Sequence, residues 1–279
     1  MSVSLNKRFE PIIVCEGHTI YNSNCLDVLK QLPSNSVQLV VTDPPYNIDL
    51  KYNTYKDNKK WTDYYDELGE VIKEIERILT NDGSFYLINY PEVNARTIPY
   101  FDKTKLIFKR WLTWHYPTNI GHSKNNYTRS QRSILFYTKS EENIFNKDAI
   151  VQPYKNPTVG KIKKRIEQGH KGRTPYDTLE SSDLIEIFNE NDPDVLNINL
   201  LKNVSKNREL NHPCQLPSAL LKVFILASSN PNDTVLDCYA GTFSTCQLAK
   251  QLNRKSIGIE IDEKYFEIGV KRLADNDTI

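Results

Sequence analysis

The sequence predicts an α/β protein built on one doubly wound, mostly parallel sheet, and three observations carry that prediction. Leu39-Val40-Val41 is a short apolar run rich in β-branched residues, the pattern of a buried strand. It stops at Pro44-Pro45, neither of which can donate to a ladder. From 233 to 273, strand and helix patterns alternate: strand 233–239, helix 242–252, strand 256–261, helix 262–273. Finally, Asp237-Cys238-Tyr239-Ala240-Gly241-Thr242 closes a strand and opens a helix, and Ile257-Gly258-Ile259-Glu260 ends the next strand in an acid.

The remaining elements follow in order. Residues 18–22 read as a short strand. Residues 24–32 have apolar residues at helical spacing with Asn24 as N-cap, and 33–36 form a turn before the strand into Asp43. The polar, tyrosine-rich stretch 48–62 reads as a mobile loop over the strand end. A helix over 63–79 places Tyr64, Leu68, Val71, Ile72, Ile75 and Leu79 on one face. Asn81-Asp82-Gly83 stops it ahead of a strand over 84–88. Strands over 109–116 and 133–138 flank a basic, hydroxyl-rich segment, 117–132. Trp111 and Trp114, an odd number of residues apart, should face opposite sides of their strand. Residues 141–210 show weak periodicity and read as an inserted segment with its own small fold, between a main domain of 1–140 and 211–279. An apolar helix, 216–229, begins at Pro217 and Ser218. There is no internal repeat.

A chain of 279 residues is long enough for one large α/β domain plus an insertion. The net charge of +1 conceals an asymmetry. Residues 103–173 hold sixteen Lys and Arg against four acids, whereas 177–194 hold seven acids and no basic residue. Interleaved with aromatics, Asn and Gln, the basic region suggests a face for nucleic acid, against the plainer reading of a solvated lysine-rich surface. No run approaches the roughly 18 apolar residues of a membrane span, and the first ten residues hold no apolar signal region. Five cysteines, odd in number and without a CxxC pair, fit buried thiols in a reduced cytoplasmic compartment, with no zinc or other metal site expected.

Two stretches carry chemistry. Asp43-Pro44-Pro45-Tyr46 projects a carboxylate and an aromatic ring from the carboxyl end of a strand, on a stiff backbone. The amino group of adenine or cytosine is flat, conjugated and a poor nucleophile. A carboxylate accepting from its N–H, beside a backbone carbonyl, would draw the nitrogen toward a tetrahedral shape, and a tyrosine would hold an extruded base by stacking. The plain alternative is a strand ending in a proline turn with a surface tyrosine. In the second stretch, Gly241 permits close backbone approach and the helix after it offers free N–H groups. Glu260 stands where a ribose would offer two hydroxyls. The alternative there is an ordinary doubly wound turn with a surface acid.

With both stretches in view, the chain resembles the S-adenosylmethionine-dependent DNA amino-methyltransferases in their beta arrangement. These place the catalytic DPPY first, the target-recognition region in the middle and the cofactor glycine motif last. The resemblance extends over nearly the whole chain outside 141–210. It includes Gly83-Ser84-Phe85-Tyr86-Leu87, Trp114, Tyr137-Thr138-Lys139-Ser140 and His212-Pro213-Cys214-Gln215-Leu216-Pro217. It implies a Rossmann-like sheet with permuted motif order and, at 141–210, an inserted target-recognition region. The implied activity is methyl transfer to adenine in a specific duplex DNA sequence, with base flipping. Cytosine 4-amino methylation, methylation of RNA or of a protein amide, and a DNA-binding homologue with weakened catalysis stay open. Asp43, Pro44, Pro45 and Tyr46 would hold and activate the base. S-adenosylmethionine would lie against Asn24, Asp43, His212, Gln215, Asp237, Tyr239, Ala240, Gly241, Thr242 and Glu260. Lys124, Arg129, Arg132, Lys161, Lys163, Lys164 and Arg165 are the candidate DNA contacts. A cytoplasmic, nucleoid-associated protein follows, a homodimer being left open. Three departures stand out. Phe243 replaces the second glycine of the family's FxGxG, so either the turn avoids positive φ there or cofactor affinity is altered. Asn24 stands where an acid is common, and Leu216 where a lysine is.

Overall fold

The computed structural model describes residues 11–49, 57–116, 125–188 and 216–274. Nine strands form one sheet in the order β1-β2-β9-β8-β3-β4-β6-β5-β7. Along the chain these are β1 (Ile12–Cys15), β2 (His18–Asn22), β3 (Val37–Thr42), β4 (Leu79–Asn89), β5 (Ile107–His115), β6 (Gln131–Thr138), β7 (Thr178–Leu179), β8 (Thr234–Asp237) and β9 (Lys255–Glu260). The pairs β2/β9, β9/β8, β8/β3, β3/β4 and β5/β7 are parallel, and β1/β2, β4/β6 and β6/β5 antiparallel.

Helices cover both faces, as two-sided burial of the parallel centre requires. Val40 points to the layer of α1 (Cys25–Leu29), α2 (Trp61–Ile78) and α3 (Pro91–Phe101). Its neighbours Leu39 and Val41 point to the layer of α5 (Ser181–Phe188), α6 (Ser218–Ser228) and α7 (Ser244–Gln251). All three side chains are fully buried, as the apolar run predicts. Trp111 and Trp114 divide in the same way, Trp111 against the first layer and Trp114 inside the second. A third cluster joins Ile20 and Phe243 to Phe266 and Leu273 of α8 (Glu263–Ala274).

Several boundaries depart from the pattern. The expected helix over 24–32 is regular only at Cys25–Leu29, with Asn24 as its N-cap: the side chain accepts from Leu26 N at 2.9 Å. Asn81-Asp82-Gly83 does not separate α2 from β4. The strand starts at Leu79, paired with Val37, and the next pair is Ser84 with Leu39. The polar tripeptide is thus absorbed as a bulge in the ladder. Helix α3 lacks a clean apolar stripe, because its buried face mixes Val93 and Phe101 with the polar Asn94 and Thr97. It begins with Pro91 at its first turn, where a missing N–H costs nothing, and tolerates Pro99 near its end. Within 141–210, the basic run lies on α4 (Gly160–Glu167), β7 joins the sheet edge beside β5, and Ile150, Leu179 and Leu184 are buried in the second layer. No helix of the described residues is long and apolar enough to cross a membrane.

Candidate active site

Strands β3 and β8 are parallel neighbours, so their carboxyl ends open on the same edge, where doubly wound sheets bind ligands. A cavity of about 410 Å³ lies there. Asn24, Asp43, Pro44, Pro45, Tyr46, Asp237, Tyr239, Ala240, Gly241, Thr242 and Glu260 all line it, so eleven expected site residues from four regions of the chain meet in one place. His212, Gln215 and Lys124 lie outside the described residues.

Asp43 follows directly on β3. Tyr46 Oη donates to its Oδ2 at 2.5 Å, while its Oδ1 is buried without a hydrogen-bond partner among the described residues. Burial pushes this carboxyl up to about 7, against the pull of the Tyr46 hydroxyl and the Arg132 charge and with a small push from Asp237. The loop behind it is pinned on both sides. Tyr64 Oη of α2 donates to the Pro45 carbonyl at 2.7 Å. Asp57 accepts from Asn47 N (2.6 Å) and Ile48 N (3.1 Å), and Asn47 and Lys59 exchange two further bonds. Asn47 and Asp49 take positive φ, which Asn and Asp tolerate. The described part of the stretch read as a mobile loop is therefore clamped at its base, and its tip, 50–56, lies outside the described residues.

Tyr46 differs from expectation. Its ring is buried, 4.8 Å from the Tyr90 ring at 51°, with the Arg132 guanidinium 4.8 Å from its centroid. Arg132, a candidate DNA contact, is itself only 7% exposed and sits behind this tyrosine. The cause is topological. Strand β6 runs antiparallel to β4, with Asn89 opposite Ser133, so the start of β6 reaches the edge where β3 and β4 end. Arg129 is exposed, ion-paired with Glu92 and 3.7 Å over the Tyr90 ring. Lys161, Lys163, Lys164 and Arg165 are exposed on α4.

In the other half, Glu260 closes β9. Oε2 accepts from Gly241 N and Oε1 from Asp262 N, both at 2.8 Å. Burial raises its pKa to about 7, opposed by those two N–H groups. Asp237 lines the cavity, but its oxygens are already engaged by Thr42 Oγ1 (2.9 Å), Thr245 Oγ1 (2.7 Å) and Tyr239 N (3.2 Å). It ties the cofactor-type turn to the strand that carries Asp43. Ser23, which the sequence reading passed over, lines the cavity with a buried hydroxyl lacking a partner. Tyr64 was read only as core.

The turn does not avoid positive φ at Phe243: the residue adopts φ 62°, ψ 31°, a left-handed conformation costly for a bulky side chain. Its ring is fully buried. A Cβ on Gly258 would stand 2.6 Å from this ring, and one on Gly269 would stand 2.2 Å from it. Those two glycines provide the space that the missing glycine would not have needed.

Comparison with known proteins identifies a family and a shared fold. A family described as DNA methylase (N6_N4_Mtase) matches residues 37–271. The DNA adenine methyltransferase YhdJ of Escherichia coli (strain K12) is 34% identical over 262 residues, spanning 92% of this chain and 83% of that protein. Type II methyltransferase M1.MboII of Moraxella bovis is 30% identical over 257 residues, spanning 90% and 94%. Among solved structures, PvuII DNA methyltransferase (cytosine-N4-specific) superposes with a TM-score of 0.68 at 18% identity, covering 94% of this chain and 88% of that one. M1.HpyAVI in complex with SAM gives a TM-score of 0.60 at 21% identity, covering 91% and 98%. With the family matched over residues 37–271, which hold both Asp43 and Glu260, the chain belongs to the DNA methylase family.

Proposed function

We propose that this protein transfers a methyl group from S-adenosylmethionine to the 6-amino group of adenine within a specific sequence of duplex DNA. The observation that carries the reading is the buried, unpartnered Asp43 Oδ1, which shares a cavity with Glu260. The cofactor supplies a methyl group on a sulfonium, a strong electrophile. The residues present fit it: Glu260 keeps lone pairs for ribose hydroxyls, Gly241 lets the backbone approach closely, and Ser23 and Asn24 add polar groups along the same wall.

Asp43 Oδ1 accepts one N–H of the extruded amino group, with the Pro44 carbonyl as a second acceptor. Both draw electron density onto the nitrogen, whose lone pair forms the new N–C bond as the S–C bond breaks. The amino group then carries one proton too many, and a carboxylate with a pKa of about 7 is matched to receive it near neutral pH. Tyr46 orients the carboxylate through Oδ2 and borders the base position. Arg129 and the exposed basic side chains of α4 contact DNA phosphates, with base readout left to other side chains in 117–210.

Adenine is favoured over cytosine because the relative at 34% identity is a DNA adenine methyltransferase. Duplex DNA incubated with the protein and S-adenosylmethionine, then digested to nucleosides for mass spectrometry, tests both levels. The reading expects 6-methyladenine in double-stranded substrate. Only 4-methylcytosine would move the substrate to cytosine, and no methylated base would sink the activity.

A further inference from the structure

Arg132 is a buried cation that forms no ion pair among the described residues, no carboxylate lying within 4 Å of it. Removing a guanidinium from water costs several kcal/mol unless partners compensate, and an apolar side chain of similar volume would fill the space without that cost. The partners here are three tyrosines. The guanidinium donates to the hydroxyls of Tyr116 and Tyr90, the latter at 3.0 Å. It stands 3.8 Å from the Tyr90 centroid, 4.8 Å from that of Tyr46 and 5.5 Å from that of Tyr116. Arginine suits such a cage, because its planar fork reaches two oxygens while its face meets a ring.

What the cage holds is the reacting group's own support. The phenol of Tyr46 is the sole described hydrogen-bond donor to Asp43, and Tyr46 is packed between Tyr90 and Arg132. We propose that Arg132 is a positioning residue for methyl transfer, fixing Tyr46 so that its hydroxyl aims the Asp43 carboxylate at the amino group of the base. This rests on the methyltransferase reading above. A second effect runs in the same direction. The groups acting on Asp43 are Tyr46, Arg132 and Asp237, and of these Arg132 is the one cation. Its charge opposes the burial that raises the carboxyl, and so favours the ionised acceptor.

The test is single-turnover methyl transfer on a cognate duplex across pH, with wild type, Arg132→Gln, Arg132→Lys and Tyr116→Phe. Wild-type turnover is the control: its absence would refute the methyltransferase reading, while turnover unaffected by the variants would refute only this inference. For Arg132→Gln the rate should fall on the order of tenfold to a hundredfold, and the acid limb should move up by about half a pH unit or more. Cofactor affinity should not change. Arg132→Lys should keep the limb and lose rate, because an ammonium retains the charge but not the fork. If Arg132→Gln does not fold, Tyr116→Phe decides the matter, since it removes one acceptor of the guanidinium and should give a smaller rate loss. An unchanged rate and acid limb would overturn the proposal. So would a loss confined to DNA affinity with a shallower salt slope, which would make Arg132 a phosphate contact.

Discussion

The two halves of the pocket are each anchored by a half-buried acid, and the two acids are completed differently. Glu260 has one backbone N–H on each oxygen. Asp43 has a phenol on one oxygen and, among the described residues, no hydrogen-bond partner on the other. Burial carries both to about 7. In the proposed function, that difference separates binding from reaction. A ribose can be met by a carboxylate already fixed in place, because nothing about it changes during turnover. An amino group that must change shape needs an acceptor whose bond forms only when it arrives. The backbone shows the same division: Asn47 and Asp49 relieve the catalytic loop's positive φ cheaply, whereas Phe243 must be accommodated by two glycines from other elements.

Breaking the reactive half should have the largest effect. Asp43→Asn should lower methyl transfer by about a hundredfold or more while leaving cofactor affinity near wild type. The same change should stabilise the fold at pH 8. Asp43 has a folded pKa near 7 against 3.8 for an ordinary carboxyl, so the native state holds a proton that the unfolded chain has released. Wild-type stability therefore falls as pH rises from about 4 to about 7, by up to about 4 kcal/mol from this group, and the variant escapes that loss. Thermal unfolding of both proteins at pH 4 and pH 8 checks it: the gap should open only at the higher pH.

Breaking the binding half should separate the two functions. Glu260→Ala should weaken S-adenosylmethionine binding, each lost hydrogen bond to a charged acceptor being worth about 1.5–3 kcal/mol. Calorimetry reads the cofactor affinity directly, and DNA affinity should change less. An unchanged cofactor dissociation constant would remove Glu260 from the ribose. At the turn beside it, Phe243→Gly sets strain against packing. Relief of a left-handed phenylalanine returns about 1–2 kcal/mol, while emptying its buried site costs about 3–5 kcal/mol. The variant should be less stable in denaturant titration despite restoring the family's glycine. The smallest effect belongs to α4. Neutralising Lys161, Lys163, Lys164 and Arg165 should weaken cognate and non-cognate duplexes alike and reduce the salt slope by up to about 0.9 per lost phosphate contact. A loss restricted to the cognate sequence would show that these side chains read bases.

The central part of the fold was legible because its signals are local. Leu39-Val40-Val41 followed by two prolines declares a buried strand and its end, and the alternation after 233 declares the cofactor-type half. The meeting of Asp43 and Glu260 follows once β3, β8 and β9 lie side by side, as parallel pairing of the apolar runs requires. What escaped depends on partners distant in sequence. Arg132 looks like a surface cation in a basic stretch until the antiparallel course of β6 brings it beneath Tyr46. Phe243 looks incompatible with positive φ until Gly258 and Gly269 make room for its ring. Tyr64 reads as one more apolar position of α2, and only the fold shows its hydroxyl on the Pro45 carbonyl.

The pH dependence of wild-type methyl transfer, measured in a single turnover with saturating cofactor and duplex, tests most directly that Asp43 is the poised acceptor. The rate should rise as the buried carboxyl loses its proton, with an inflection near 7, and the residual rate of Asp43→Asn should lack that limb. A rate already flat from pH 5 upward, or the same limb persisting in the variant, would contradict it.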